Sequence, residues 1–453
     1  MKYKSFLYLL LILSISSCKK YLDKKPDDKL AVPTKLQDLQ ALLDQSQYMN
    51  IQQSPSFGEA SADDYFLPDA NFNALPVEQQ GIYTWNRGEY KFQNDWSKAY
   101  LPVYNANFCL EQLDKIPVNT TNETAWKNVK GSALFFKAYN YLNLLWVFAK
   151  AFDEAAATTD LGIVLRNSSD FNVPSVRATV LDSYNAVIND SKQAIMLLPD
   201  HPVHCMRPSK AAAYGLLARA YLSMRKYDSA FVYAGRCLQL RNELIDYNAD
   251  SDINGSITSN VPFKRFNKET IFYTETNTNF AIHRTSTGRI DTMLYAQYNN
   301  NDLRKTAFFR PVTGYYQFKG NYTGSGSQFF SGITTAELLL IRAETHARAG
   351  RVTEAMNDVN KLMIKRWKNT VPFPAFTANT KEEALTIILA ERRKELCMRA
   401  LRWMDIKRLN KENAAIILTR KIAGQIYTLQ PNANYYALPL PTDIIQITGI
   451  QQN

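Results

Sequence analysis

Three sets of side chains in this sequence have types and spacings capable of chemistry. His201, His204 and Cys205 in HPVHC bring two imidazoles and a thiol into five residues. A tetrahedral metal site needs a fourth ligand on a rigid frame. Nothing nearby supplies either, so the segment reads as a loop between helices, and neither metal nor other cofactor is implied. Asp63, Asp64 and Asp69 stand in an aromatic stretch. Glycoside hydrolysis would need two carboxylates facing each other across about 5–10 Å. Carboxylates at this frequency are commonplace and no catalytic motif accompanies them, which argues against an enzyme. The third set is aromatic: Tyr65, Phe66, Trp85, Tyr315 and Tyr322, interleaved with Asn, Ser, Thr and Gly. Its chemistry is binding. Ring faces stack on the C–H faces of a sugar while amides and hydroxyls take its hydrogen bonds. The same composition also suits short hairpins that pack their rings inward.

One further thiol is set apart by its position. Residues 1–18, MKYKSFLYLLLILSISSC, have a basic start, an apolar run from Phe6 to Ile15 too short to span a bilayer, and small residues before Cys18. Ile15, Ser16, Ser17 and Cys18 resemble a bacterial lipobox. Small side chains admit the peptidase, and the Cys18 thiol supplies the nucleophile for a thioether to diacylglycerol. Residues 1–17 are then a signal peptide, and acyl chains on Cys18 anchor the protein to a membrane. Residues 18–33 are polar and read as a tether. Cys109, Cys237 and Cys397 fall in helical apolar patterns and are expected as small core residues, not disulfide partners.

The elements that must position these groups are mostly helices. From Pro208 to Arg241, apolar residues recur at helical spacing in two runs: Ala213, Leu216, Leu217, Ala220, Tyr221 and Met224, then Tyr227, Ala230, Phe231, Ala234, Cys237 and Leu238. Pro208 and Ser209 suit the helix start. The short break at Arg225–Lys226 forces the two helices antiparallel. Ala218 and Ala230, with Tyr214, Leu217 and Tyr221 at their offsets, make the unit similar to a tetratricopeptide repeat. A second copy runs through LLLIRAETHARAGRVTEAMNDVNKLM, turning at Gly350–Arg351. One such hairpin cannot bury its apolar face alone, so three or four are expected. Further helices are predicted over 96–116, 124–152 and 177–198. One long helix is predicted from Thr380 to Asn410, capped by Thr380 and Glu383. Its dense Arg and Glu read as a structural ion-pair network.

Two stretches lack sustained periodicity, about 50–94 and 242–332, and both are rich in aromatics. Loops of that length inside a compact protein usually carry function or are partly disordered. The fold class is therefore mainly α: tetratricopeptide-like hairpins forming a superhelical scaffold, with long irregular insertions whose aromatics are the best place to look for a ligand. The formal charge of +11 is spread among Asp and Glu along the helices instead of forming a basic block. Nucleic acid is not an expected partner.

With these residues in hand, the chain resembles the SusD/RagB family of outer-membrane nutrient-binding lipoproteins. The resemblance rests on the lipobox, YLDKKPDD, NDWSKAYLPVYNANFCLEQL, RPSKAAAYGLLARAYL, ELLLIRAETHARAG, AERRKELCMRALRWMDIKRL and the closing ALPLPTDII. It covers nearly the whole length, with 34–453 as the folded domain. Members commonly carry Glu-Gly where this chain has Arg399 and Ala400. The resemblance implies that the insertions make up a ligand-facing half. It also implies a cell-surface protein acting as the lid of a TonB-dependent (SusC-like) transporter, capturing oligosaccharides or, in some members, peptides. Binding, not catalysis, is the implied mechanism. A lipid-anchored scaffold for protein partners is the alternative of a different class.

Overall fold

The computed structural model describes residues 33–91, 94–283 and 286–453; Cys18, the expected signal peptide and nearly all of the expected tether lie outside them. Among the described residues the chain is mainly helical. Helix α1 (Leu36–Leu43) packs on α2 (Asp95–Leu113) and α3 (Glu123–Phe148), which pack on each other. Then α4 (Val180–Leu197), α5 (Lys210–Ser223) and α6 (Tyr227–Leu240) each lie against the helix before. After the second insertion, α7 (Thr335–Arg348) packs on α6, and α8 (Val352–Met363) and α9 (Lys381–Glu395) pack on α7. The order is that of a helical-repeat scaffold, as the periodicity predicts. None of these helices is long and apolar enough to cross a membrane.

Local chemistry accounts for the helix ends. Ser209 accepts from the Ala212 N–H at 3.2 Å to start α5, and Thr380 accepts from the Glu383 N–H at 3.2 Å to start α9. Asn94 and Ser97 exchange bonds as a capping box at α2. Gly350, at φ +76°, makes the α7–α8 turn, a conformation that costs glycine nothing. Helix α5 is buried nearly all round, not only on its predicted stripe, because it lies in the middle of the stack. The main core runs through the whole scaffold. A smaller one, formed by Ala343, Ala347, Ala355, Val359, Ala384 and Ile388 among others, closes the α7–α8–α9 corner.

The single helix expected from Thr380 to Asn410 is two. Helix α9 ends at Glu395 and α10 (Arg402–Asn410) begins after a break in which Met398 and Ala400 take φ +59° and +60°. Local periodicity continues across this break, so the pattern alone does not reveal it. Its cause is a tertiary contact described below.

The two insertions hold little regular structure. The first contains short helical turns and β1 (Tyr65–Phe66). Two short strands on the scaffold, β2 (Leu161–Val164) and β3 (Arg177–Thr179), pair antiparallel just before α4. The second insertion contains β4 (Thr270–Phe272), β5 (Arg289–Ile290), β6 (Phe309–Val312) and β7 (Tyr315–Phe318). Strand β4 pairs with β8 (Ile333–Thr334), which leads into α7. A later hairpin joins β9 (Leu418–Ile422) to β10 (Gln425–Leu429). The short helix α11 (Thr442–Thr448) follows near the C-terminus.

Candidate ligand-binding site

The two insertions meet through strand pairing. β1 pairs antiparallel with β5, setting Tyr65 opposite Ile290 and Phe66 opposite Arg289. β5 in turn lies against β7 of the β6–β7 hairpin. That hairpin turns at Thr313 and Gly314, both at positive φ, and places Val312 opposite Tyr315. Residues 249 positions apart in the chain thereby become neighbours: the Phe66 and Tyr315 rings meet edge-to-face at 5.2 Å. Tyr315 is 42% exposed and Phe66 is half-buried. Beside them Tyr316 stacks on Tyr295, 15° from parallel, and the Lys305 ammonium stands 5.0 Å from the Tyr295 ring. Together these side chains form an aromatic edge on the surface.

The other three aromatic candidates are not part of that surface. Tyr65 and Tyr322 are buried, as is Trp85. The Trp85 indole donates to the Ser61 carbonyl at 2.9 Å. The Tyr322 hydroxyl donates to Glu269 Oε2 at 3.0 Å and shares a 3.0 Å bond with the Tyr247 hydroxyl, and the Arg399 guanidinium lies 3.7 Å from its ring centre. Tyr65 packs beneath Gly288, where an added Cβ would come within 3.0 Å of its ring. These three rings are committed to internal contacts, while Phe66 and Tyr315 reach the surface.

Charge is buried beside the segment that leads into Phe66. Arg420, on β9, donates to the carbonyls of Ala60, Ala62 and Tyr65 and lies 4.2 Å over the Tyr83 ring and 5.0 Å from Trp85. Asp63 takes a fork of bonds from Arg402 at 2.6 and 3.0 Å and a further contact from Arg393. Burial raises the Asp63 carboxyl, but the Arg402 and Arg393 charges outweigh it and bring it down to about 2. Asp64 pairs with Arg393, and burial nevertheless keeps its carboxyl above the usual range. Both carboxylates are thus committed to arginines instead of facing each other across a cleft. Under the second insertion, Arg304 binds Asp302, Glu391 and Glu395, and Arg366 binds Glu395 and Glu269. The predicted structural network is present and lies mostly out of contact with water.

Some positioning residues were invisible in the sequence. Arg219, in the middle of the Ala- and Leu-rich α5, forms a buried fork with Glu337 and donates to the Ser331 and Gly332 carbonyls. A lone arginine inside an otherwise apolar helix is the only local hint. Glu59 is equally hidden. Of the HPVHC residues, His204 accepts the Met206 N–H at its Nδ1 and packs edge-on against Phe266 at 4.5 Å.

With this geometry established, comparison with known proteins is specific. A family model described as starch-binding, associating with the outer membrane, matches residues 20–222, and the SusD family model matches residues 247–445. A SusD-like protein of Formosa agariphila is 37% identical over 81 residues, which is 17% of this chain and 16% of that protein's length. The fold agrees with a SusD superfamily protein of Bacteroides thetaiotaomicron at TM-score 0.72 and 19% identity, over 92% of this chain and 99% of the other. It agrees with a laminarin-binding SusD-like protein at TM-score 0.63 and 18% identity, over 92% and 97%. From the family models spanning both halves and the shared architecture, the chain belongs to the SusD family.

Proposed function

We propose that this protein is a lipid-anchored, cell-surface nutrient-binding protein. It captures oligosaccharides at the Phe66–Tyr315 edge and delivers them to a TonB-dependent (SusC-like) outer-membrane transporter that it covers as a lid. The observation that carries the reading is the edge itself: two ring faces, one of them well exposed, joined across the two insertions. Stacking needs flat apolar faces at fixed positions, and each ring contributes about 0.5–1.5 kcal/mol beyond its area. A family relative described as laminarin-binding supports the glycan class. The lipobox at Cys18 supports the anchor, and residues 18–33 form the tether. The chain acts by binding: Asp63 and Asp64, two of the three carboxylates close to Phe66 in sequence, are paired with Arg393 and Arg402.

The test is calorimetric titration of the protein lacking residues 1–18 against a panel of oligosaccharides and peptides. Saturable glycan binding that weakens in Phe66→Ala and Tyr315→Ala supports the reading. Peptide binding with the same sensitivity moves it to a peptide-uptake role. Shortened oligosaccharides after incubation would overturn the binding mechanism.

A further inference from the structure

A second cleft, of about 440 Å³, lies on the helical scaffold, between α2, the segment following β2, and the C-terminal helix α11. That volume is in the range of small-molecule sites, about 300–1,000 Å³. Its walls are aromatic. Trp96, Tyr100 and Tyr104 stand one turn apart along one face of α2, so their rings form a ladder. Trp96 and Tyr100 meet at 4.8 Å, and Tyr104 stacks on Phe171 at 5.0 Å, 15° from parallel. Phe171 is 80% exposed, so its outer face is open.

The polar groups of the cleft are turned to internal work. The Tyr100 hydroxyl donates to the Val164 carbonyl at 2.7 Å and accepts from its N–H at 3.0 Å. The Arg166 guanidinium donates to the carbonyls of Asp170 and Val173. Ser168 and Ser169 donate to Glu111, and Thr448 donates to the Ile444 carbonyl at 2.6 Å. These bonds also hold Phe171 in place, because Arg166, Ser168 and Ser169 pin the loop that carries it. A cation would meet the charge of the Arg166 guanidinium, whose partners are carbonyls and a serine hydroxyl of its own loop, and a polyhydroxylated ring would leave most of its hydroxyls unsatisfied. A flat apolar ring loses little water and gains stacking against the walls.

We propose that this cleft is a binding site for an uncharged aryl group, either a free aromatic compound or the aromatic substituent of a sugar. The site is distinct from the Phe66–Tyr315 edge, and nothing in its assignment rests on the glycan reading.

The experiment uses the protein lacking residues 1–18 and three probes, phenol, phenyl β-glucoside and methyl β-glucoside, with affinities from calorimetry and contacts from saturation-transfer NMR. The expected result is saturable binding of the aryl probes that weakens about tenfold in Phe171→Ala and is abolished in Leu101→Trp, which fills the cleft. Binding of both aryl probes means that the ring alone suffices. Binding of phenyl glucoside without phenol assigns the site to aryl-substituted sugars. Phe171 is exposed, so its variant folds whether or not the cleft-filling one does. Failure of both aryl probes to bind at millimolar concentration, or binding unchanged in Phe171→Ala, overturns the proposal. Methyl glucoside binding with the same sensitivity overturns it too, because the sugar would then be the recognised group.

Discussion

The backbone N–H of Ala400 donates to Glu59 Oε2 at 2.9 Å, joining the break between α9 and α10 to the floor of the first insertion across 341 residues of chain. The neighbouring Met398 N–H points to Asp64 in the same way. An unbroken helix would spend both N–H groups on its own carbonyls. Left-handed conformations at Met398 and Ala400 release them to buried carboxyls instead. This also explains the departure from the family's Glu-Gly: the chain keeps a backbone shape that glycine adopts freely and places alanine in it.

Ala400→Gly is therefore expected to stabilise the protein by about 0.5–1 kcal/mol, since the strain at positive φ outweighs the extra freedom of the unfolded chain. Ala400→Val should destabilise it. Urea unfolding of the three proteins checks this; a glycine variant less stable than the parent would show that the φ +60° position carries no strain.

The Arg219–Glu337 fork is inaccessible to water at both ends. Arg219→Met alone leaves a buried carboxylate and is expected to cost about 3–5 kcal/mol, whereas Arg219→Met with Glu337→Leu should recover most of that loss. A double-mutant cycle by denaturant unfolding separates the two. Additive losses would mean that the arginine acts through the Ser331 and Gly332 carbonyls.

His283 is buried between Phe280 and Phe329 with neither ring nitrogen hydrogen-bonded, and burial pushes its pKa down to about 3. The folded state holds it neutral, while the unfolded chain protonates it below about pH 6.5. Stability from this group is thus intact above pH 6.5 and lost as pH falls toward 3, by about 2–3 kcal/mol at pH 4.5. Asp95, raised to about 6 chiefly by burial, slopes the opposite way between pH 4 and 6. The informative quantity is therefore the difference between wild type and His283→Phe, whose acid limb should be flatter. Parallel profiles would remove His283 as the cause.

For the edge, Phe66→Ala and Tyr315→Ala are each expected to weaken glycan binding about tenfold with little change in melting temperature. Trp85→Ala should cost about 3–5 kcal/mol of stability because its ring is packed against Arg420 and its indole bonded to Ser61. Calorimetry and thermal unfolding, run on the same samples, distinguish a ring that touches ligand from one committed to internal contacts.

Much of the scaffold could be read directly from the sequence. Apolar spacing, the Ser209 and Thr380 caps and the Gly350 turn are set by contacts within a few residues, so helices from Asp95 to Met363 fall near their expected bounds. The arginine- and glutamate-rich network was legible for the same reason, as a run of residue types. Which aromatic rings meet solvent was not. Tyr65 and Phe66 are adjacent and chemically alike, yet one is buried and the other reaches the surface, because pairing with β5 assigns consecutive side chains to opposite faces. Trp85 is buried by Arg420, more than 300 residues away, and the α9–α10 break is decided by Glu59 and Asp64. Local periodicity carries no information about such distant partners, and burial is set by what the rest of the chain brings against a side chain.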